Sequence, residues 1–383
     1  MGKRELLLAA AFLLAGFIVY QFTAPPPDPK SRGFSLSRII DNVRREVRGR
    51  PENAEVTQTL TRPAPADLEE VRITMPSGAI TVTGEDRADI EAELHVRSNG
   101  YDKAEAESLA KATTLKFDEA GAVLIISLSF PQPGAQRATL TLKVPARLAL
   151  RIDEKNGVLT ITNVASVAMG IARGATTISQ VPGAVSAIQR GASLTITDVG
   201  SLKLSSLAGA QARVSQVRGE AVFTLQGGRL QADTLGRGLE VESRGAEVHF
   251  EKLDALTSPI RVNATGGEMV LIGLKAEARI DGRQTRIRVA QAAPAPLAVY
   301  NDGDDPIEVT VPPGKFSVDA LAVNGRVTID SGLEQAGLRV DTPPEGSAPP
   351  NTRFETRVTG AVAGGGPTIT LRATRGDIVL KSK

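Results

Sequence analysis

One short phrase recurs along the chain, in the copies Gly157-Val-Leu-Thr-Ile-Thr-Asn-Val164, Gly174-Ala-Thr-Thr-Ile-Ser-Gln-Val181, Ser193-Leu-Thr-Ile-Thr-Asp-Val199 and Ala212-Arg-Val-Ser-Gln-Val217. The final aliphatic position continues at Leu235, Leu253 and Leu274, so it recurs at a nearly constant step. A repeat of roughly 18 residues is typical of a solenoid, in which each unit buries its apolar face only against its neighbours.

Each unit carries further positions that recur with the same step. Three residues before the final aliphatic position lies a second inward candidate, at Ile161, Ile178, Ile196, Val214, Ala232, Phe250 and Leu271. A glycine recurs in the other half of the unit, at Gly174, Gly191, Gly209, Gly227, Gly245 and Gly266. Between these points run short segments that alternate apolar and polar residues, as strands do. The glycines therefore predict the turns between strands.

The repeat is too short for a helix in each unit, because a parallel crossover that carries a helix needs about 30 or more residues. We therefore predict an all-β, single-stranded parallel β-helix, or solenoid, with coils of about 17–21 residues stacked about 4.8 Å apart. Right-handed winding is the expected sense. Aromatic residues make up 3% of the chain, which suits a narrow interior of stacked aliphatic side chains. The alternative is a β-sandwich with accidental periodicity.

Composition narrows the class of protein. The 383 residues are 41% hydrophobic, which is enough for a sizeable core, and 45 Lys and Arg against 43 Asp and Glu leave a net charge of +2. That balance argues against a dedicated nucleic-acid binder, which normally carries a basic face. The absence of cysteine excludes disulfides, thiolate metal sites and cysteine nucleophiles.

The N-terminus predicts a membrane anchor. Lys3 and Arg4 precede an apolar run from Leu6 to Tyr20, which is at the short end for a spanning helix. A cleavable signal peptide is the rival, but Phe22 and Pro25 fit poorly around a cleavage site after Ala24. We expect an uncleaved transmembrane helix within residues 1–24, with the rest of the chain outside the cytoplasm, in the periplasm or at the cell surface.

Three further segments follow this anchor. Residues 25–66 read as a proline-rich linker with one amphipathic helix around residues 35–48, which would either lie on anionic lipid or serve as a stalk or a packed helix. Residues 67–150 are expected to form an N-terminal β cap with one helix, from Tyr101 to Leu115. Residues 151–383 are expected to form the solenoid, with irregular coils and closing strands after Leu274, where the regular step is lost.

Several motifs resemble a known bacterial family. They are Met75-Pro-Ser-Gly-Ala-Ile-Thr-Val-Thr-Gly84, Lys143-Val-Pro145, Gly157-Val-Leu-Thr-Ile161, and the ending Val358-Thr-Gly360, Gly364-Gly-Gly-Pro367 and Arg375-Gly-Asp-Ile-Val-Leu380. Over residues 68–383 the chain resembles the bacterial adhesin-like domain of unknown function that is related to the head (GIN) domain of auto-transporter adhesins. The resemblance implies a parallel β-helix-like fold, on the outside of a bacterial cell or in its periplasm, and no established enzyme activity.

The sequence offers little for catalysis or metal binding. An enzyme on a β-helix needs acids aligned on one face of neighbouring coils. Here they occur singly at outward positions, namely Asp198, Asp233, Glu240, Glu242 and Glu247. The two histidines, His95 and His249, lack companions for a metal. We predict no catalytic residues, no metal site and no cofactor.

Two short motifs remain open. The segment Asn301-Asp-Gly-Asp-Asp305 offers oxygen ligands for calcium but is also an ordinary turn. The tripeptide Arg375-Gly-Asp377 occurs in some adhesive proteins, and it also fits a closing turn.

Arginines beside the turns are the candidate binding residues. Arg173, Arg190 and Arg244 precede a glycine on one turn, and Arg218 and Arg237 do so on the other. Stacked at coil spacing, they would form a positive edge for phosphates or uronic acids. Taken together, the sequence predicts a non-enzymatic, membrane-anchored binding or structural protein of the cell envelope, whose partner is an envelope polysaccharide or another protein and not nucleic acid. The alternatives are a polysaccharide-active enzyme on a β-helix and a sensory or regulatory envelope protein.

Overall fold

The computed structural model describes residues 52–75, 77–131, 136–207, 209–341 and 354–383. The predicted transmembrane helix within residues 1–24 and the amphipathic helix around residues 35–48 lie outside these ranges. Within them, no helix is long and apolar enough to cross a membrane.

The described chain is almost entirely β-structure. Its first strands are β1 Glu52–Pro63, β2 Glu70–Thr74, β3 Ala79–Glu85, β4 Asp89–Gly100, β5 Thr114–Ala120, β6 Val123–Ser129, β7 Gln136–Pro145, β8 Ala149–Lys155, β9 Leu159–Thr162 and β10 Ser166–Ala172. The middle strands are β11 Thr176–Arg190, β12 Ser193–Leu207, β13 Gln211–Val217, β14 Glu220–Gln226, β15 Arg229–Leu235, β16 Gly238–Arg244, β17 Glu247–Glu251, β18 Ile260–Thr265, β19 Glu268–Leu274 and β20 Ala278–Arg283. The last are β21 Arg286–Gln291, β22 Leu297–Asp302, β23 Ile307–Val311, β24 Phe316–Val323, β25 Val327–Ile329, β26 Arg339–Asp341, β27 Glu355–Val362, β28 Thr368–Ala373 and β29 Ile378–Ser382.

Three short helices interrupt the strands of the described residues: α1 Lys103–Ala112, α2 Ser331–Gln335 and a 3-10 turn, Leu253–Ala255. The predicted internal helix is confirmed as α1, which packs on β4. Its start is fixed by Asp102, whose side chain accepts a hydrogen bond from the Glu105 amide at 2.8 Å. Ala106 and Ala110 form its buried side, and their small size lets the helix lie close to the strand.

The strands form two ladders that share one interior. Sheet A runs in the order β1, β4, β7, β3, β9, first half of β11, first half of β12, β13, β15, β17, β19, β21, β23, β29, β25. Sheet B runs in the order β5, β6, β2, β8, β10, second half of β11, second half of β12, β14, β16, β18, β20, β22, β28, β24, β27, β26. A sheet B strand followed along the chain by a sheet A strand makes one rung. The predicted parallel β-solenoid is confirmed, while its right-handed winding stays a prediction.

Aliphatic columns run through the interior, because parallel pairing in register places like positions above one another. Val181, Val199, Val217 and Leu235 are successive Cα partners, and each is at most 1% exposed. The second predicted column is also confirmed, from Ile161 through Ile178, Ile196, Val214, Ala232 and Phe250 to Leu271. The repeat therefore predicts the core directly.

The coils and closing strands expected after Leu274 are present, and the first of these coils are more regular than expected. Leu271 pairs with Val289, and Val289 pairs with Val309, so the ladder continues at a step close to that of the repeat. The side chains in these rungs vary more, but their inward positions remain aliphatic and buried. The ladders likewise continue through residues 67–150, where β2 with β3 and β6 with β7 form rungs of the same two sheets.

Both ends of the solenoid contain a rung that enters out of chain order. The rung of β2 and β3 lies between that of β6 and β7 and that of β8 and β9. At the other end, β28 and β29 lie between the β22–β23 rung and the β24–β25 rung. Antiparallel strands then cover both sheets at one end, where β5 pairs with β6 and β4 with β7, and cover sheet B at the other, where β27 pairs with β24 and β26 with β27. Covered ends protect the solenoid from edge-to-edge pairing.

The linker predicted for residues 25–66 is too long, because Glu52–Pro63 form strand β1 and pair with β4. Ala54 is buried on its inner side. Thr57 Oγ1 lies 3.2 Å from His95 Nδ1, and Arg62 forms an ion pair with Glu119 at 2.6 Å. The polar composition that suggested a linker is the composition of an edge strand with one exposed side.

The corner that leads from sheet A to sheet B contains a left-handed residue in six successive rungs. It immediately precedes the aliphatic column, at Asn163, Gln180, Asp198, Gln216, Thr234 and Lys252, with φ values between 51° and 57°. Asn and Asp tolerate this conformation well, whereas a β-branched residue does not. The glycines predicted for the opposite corner adopt positive φ from Gly191 onward, while Gly174 is not among them.

Thr234 is therefore a strained position, and we expect Thr234→Asn to raise the free energy of unfolding by about 1 kcal/mol. Urea denaturation of the two proteins measures the difference. Thr195→Asn is the control, because Thr195 lies in strand β12 without positive φ and Asn is a poorer strand residue. Equal loss of stability in the two variants would contradict the strain at residue 234.

Buried polar side chains stabilise the opposite corner, which leads from sheet B to sheet A. Gln189 Nε2 donates to the carbonyls of Gly174 and Gly191, each at 2.9 Å. Lys155 is fully buried, and its Nζ donates to the Gly78 carbonyl at 2.5 Å and the Asn156 carbonyl at 3.2 Å. Desolvation of its ammonium lowers the pKa of Lys155 from 10.5 to about 8.

The lowered pKa of Lys155 makes stability depend on pH in a defined direction. Between about pH 8 and pH 10.5 the unfolded chain holds a proton that the folded chain has released, so this group adds stability as pH rises. Over this range, we expect the free energy of unfolding of the wild type to rise relative to that of Lys155→Met, by at most about 1.4 kcal/mol per pH unit. Denaturation series at pH 7, 8, 9 and 10 measure the difference. A constant difference over the series would contradict a shifted pKa.

Candidate binding face

A concave surface lies on the outer face of sheet A. It spans the four neighbouring strands β12, β13, β15 and β17 and encloses about 470 Å³. We call it the sheet A groove. Its lining residues are Thr195, Thr197, Arg213, Val214, Ser215, Gln231, Ala232, Asp233, His249 and Glu251. Strand alternation explains why it is polar, because residues on either side of each buried column residue point outward.

Register fixes the order of the side chains in the groove. One outward column runs Thr195, Arg213, Gln231, His249, and the other runs Thr197, Ser215, Asp233, Glu251. Neighbouring rungs are about 4.8 Å apart, so side chains in one column lie within reach of each other.

Hydrogen bonds connect several of these groups. Ser215 Oγ lies 3.2 Å from Thr197 Oγ1, and Arg213 Nε donates to Gln231 Oε1 at 3.4 Å. His249 Nε2 lies 2.8 Å from Glu251 Oε1, with both side chains partly exposed. These contacts hold the long side chains in place and still leave donors and acceptors directed to solvent. The groove can therefore bind a polar, extended ligand that crosses several rungs.

The five arginines predicted as binding residues lie on two different corners. Arg190 and Arg244 end strands β11 and β16 at the corner from sheet B to sheet A, where Arg173 also lies. Arg218 and Arg237 lie at the other corner, after β13 and β15. In register, Leu207 and Gln226 fall between Arg190 and Arg244, which therefore do not form adjacent rungs of one edge.

Arg218 and Arg244 are engaged in ion pairs. Arg218 Nη2 lies 2.7 Å from Asp198 Oδ1, and Arg244 Nη2 lies 2.9 Å from Glu242 Oε1. Both pairs are exposed, so they are weak and do not by themselves prevent ligand binding. Binding by Arg173, Arg190, Arg218, Arg237 and Arg244 stays a prediction. The structure does not bring the five together as one positive surface.

The acids named in the sequence are distributed over both sheets. Glu240 and Glu242 lie on β16 in sheet B, whereas Glu247 begins β17 in sheet A and pairs with Arg229 at 2.5 Å. Asp233 alone of the five faces the groove, where it lies one rung from Glu251. Among the described residues, no group of three or more His, Asp or Glu side chains is placed to hold a metal ion.

The calcium candidate is built as a turn. The Asn301 amide is buried, and its Nδ2 donates to the carbonyls of Thr285 at 2.9 Å and Asp305 at 2.7 Å. Asp304 pairs with Arg375 at 3.1 Å. The tripeptide Arg375-Gly-Asp377 packs against this same turn, and Asp377 Oδ1 accepts from the Arg326 amide at 2.8 Å. Both motifs therefore have structural partners in the last rungs.

Sequence reasoning missed the groove, although a signal for it was present. The column from Thr197 to Glu251 recurs with the same period as the aliphatic column beside it. That period identifies the inward residues, whereas the outward ones were considered only singly. Reading the outward positions in the same columns would have placed His249, Asp233 and Arg213 on one surface.

Comparison with known proteins gives only distant likenesses. No protein-family model matches the chain, and no curated protein matches it. Among solved structures it is similar to a putative cell adhesion protein from Clostridium sporogenes, with 9% identity, a TM-score of 0.22, and coverage of 87% of this chain and 100% of that one. It is also similar to a putative adhesin from Parabacteroides merdae, with 11% identity, a TM-score of 0.26, and coverage of 86% and 96%.

A third similar structure is a putative adhesin from Parabacteroides distasonis, with 10% identity, a TM-score of 0.23, and coverage of 86% of this chain and 97% of that one. All three are named as adhesins or cell adhesion proteins.

Proposed function

We propose that the protein is a non-enzymatic, adhesin-like binding protein of the cell envelope that holds a polysaccharide in the sheet A groove. One observation carries this proposal: four neighbouring rungs present two parallel columns of polar side chains on a concave surface. A polysaccharide is a linear array of hydroxyl groups, and planar polar groups such as those of Arg213, Gln231 and Asp233 can hydrogen-bond to pairs of them. The expected N-terminal helix would anchor this solenoid at the outer side of the membrane.

The open geometry of the groove favours binding of a long polymer over enclosure of a small ligand. The groove is a surface across strands, so a long polymer can enter it from the side and extend past both ends. Its donors and acceptors belong to exposed side chains, and each contact is therefore of modest strength. Useful affinity then requires several rungs or several copies of the protein to engage one polymer. This is the mode expected of an attachment protein.

Gln231 tests the groove because it lies in one of the inner rungs and reaches solvent. We expect Gln231→Ala to weaken binding of the full chain to a polysaccharide about fivefold, the loss of one or two hydrogen bonds. A glycan array identifies the best polysaccharide, and titration with it measures the affinities. Gln226→Ala is the matched control, because Gln226 is equally exposed but lies on β14 in sheet B. Equal weakening by both variants, or no bound glycan at all, would refute the groove as the site.

A second candidate function has one specific observation in its favour. Asp233 and Glu251 are partners in adjacent rungs of the groove, and His249 contacts Glu251. Two carboxyl groups about 5 Å apart are the arrangement used by retaining glycosidases. A polysaccharide-active enzyme would thus use the groove that we propose for binding.

Product analysis separates the two functions. On our proposal, the wild type incubated with the best glycan of the array releases no new reducing ends, and Asp233→Asn gives the same result. If the wild type cleaves the glycan and Asp233→Asn or Glu251→Gln lowers the rate at least about a hundredfold, the protein is an enzyme. Size-exclusion analysis of the glycan after long incubation provides the measurement.

A further inference from the structure

A regular array of hydroxyl groups covers the outer face of sheet A beside the groove and shares Thr195, Thr197 and Ser215 with it. Its first column is Thr141, Thr81, Thr160, Thr177 and Thr195, in successive strands β7, β3, β9, β11 and β12. Its second column is Thr83, Thr162, Ser179, Thr197 and Ser215. We call these ten residues the hydroxyl array. None of these ten side chains is charged or aromatic.

The array repeats in two directions at fixed distances. From rung to rung the spacing is about 4.8 Å, and along each strand the two columns are about 6.7 Å apart, two residues of extended chain. Pairing across β3, β9, β11 and β12 is continuous at these positions, and the register shift recorded for β11 and β12 falls beyond them, after Val181. The hydroxyls therefore form a two-dimensional lattice rather than a scattered polar surface.

Threonine gives this lattice a defined surface chemistry. Its branched Cβ restricts χ1, so each residue presents one hydroxyl and one methyl in a fixed direction. Thr162 Oγ1 lies 3.2 Å from Ser179 Oγ, and Ser215 Oγ lies 3.2 Å from Thr197 Oγ1, which further orders the second column. A ligand that matches the lattice therefore meets groups that are already in place, and little side-chain entropy is lost on binding.

Charged side chains border the array, and they include Glu93, which pairs in register with Thr141. At one end, Lys143 Nζ lies 2.9 Å from Glu91 Oε1, and the hydrogen bond from Lys143 holds the pKa of Glu91 below its ordinary value. At the other end, Arg213 bonds to Gln231 in the groove. The neutral part between them has nothing to recognise an anion or a cation. Nor does it have a ring on which a sugar could stack.

A ligand for such a surface must itself repeat in two directions at nearly these spacings and offer both donors and acceptors. The oxygen atoms of hexagonal ice do so, with repeats close to the rung spacing in one direction and close to the column spacing in the other. Liquid water lacks this order, and an irregular protein surface does not repeat. We infer that the hydroxyl array is an ice-binding face, on which an ordered layer of water joins the threonines to the crystal.

The physical basis is many weak contacts made together. Each hydroxyl can hydrogen-bond one lattice water, and each methyl occupies the space between waters, so no single residue supplies much energy. A charged side chain in the middle of the array would order water around itself in another geometry and break the match. A long, hydrated side chain would also keep neighbouring threonines away from a flat crystal.

The test uses Thr177→Lys together with Thr195→Lys, since both residues are exposed. Thr177 lies near the centre of the first column, and Thr195 lies at its end. Slow freezing of a dilute solution of the full chain measures its partition between ice and liquid. We expect the wild type to concentrate in the ice and the double variant to lose at least about tenfold of that enrichment. The control is Ser186→Lys, because Ser186 lies in the same strand β11, is equally exposed, and faces outward from sheet B. It should behave as the wild type does.

Two results would overturn the inference. One is a wild-type protein that is excluded from growing ice as completely as serum albumin. The other is equal loss of enrichment in the sheet B control. Thermal denaturation midpoints of all variants show whether each is folded, and Thr177→Ser offers a mild variant that keeps the hydroxyl. Gln231 lines the groove but lies outside the hydroxyl array, so Gln231→Ala should leave the ice measurement unchanged.

Discussion

The whole structure depends on parallel strands pairing in register from rung to rung. Once the residues of one coil lie above those of the next, every column has a single chemical character, apolar inside and polar outside. Val181, Val199, Val217 and Leu235 show this inside the solenoid, and each is at most 1% exposed. A shift of one residue in a rung would move its aliphatic side chains into solvent, and this penalty fixes the register.

The energetically unfavourable features of the coil are concentrated at its corners. One corner contains a left-handed residue in six successive rungs, even where the residue is Thr234 or Lys252. The other contains buried polar groups such as Gln189 and Lys155, whose donors satisfy backbone carbonyls that the turn leaves without partners. Deviations from the preferences of single residues are therefore concentrated where the chain must turn, and the strands between remain regular.

The same register that builds the core also builds the two candidate surfaces. Outward residues stack in columns just as inward residues do, so the repeated Thr-x-Thr segments form the hydroxyl array. After Thr195 the residues in these columns change, and the sheet A groove lies there. The surface thus changes character along the rod without any change in the backbone. A solenoid can in this way present different chemistry in successive rungs while its interior stays aliphatic.

The sequence by itself determined the solenoid, its coil length, its two inner columns and helix α1, because each follows from local spacing that recurs many times. It did not show how regular the coils after Leu274 are or that β1 is a strand, since irregular steps and polar edge residues leave no periodic signal. It could not show that β28 and β29 lie between the β22–β23 and β24–β25 rungs, since pairing between distant segments is decided by which edges remain open. For the same reason, sequence neighbours such as Glu242 and Glu247 separate onto two sheets, whereas Arg213, Asp233 and His249, which belong to three different rungs, meet in one groove. Only the tertiary structure decides which side chains share a surface, because that depends on the direction in which each strand presents them.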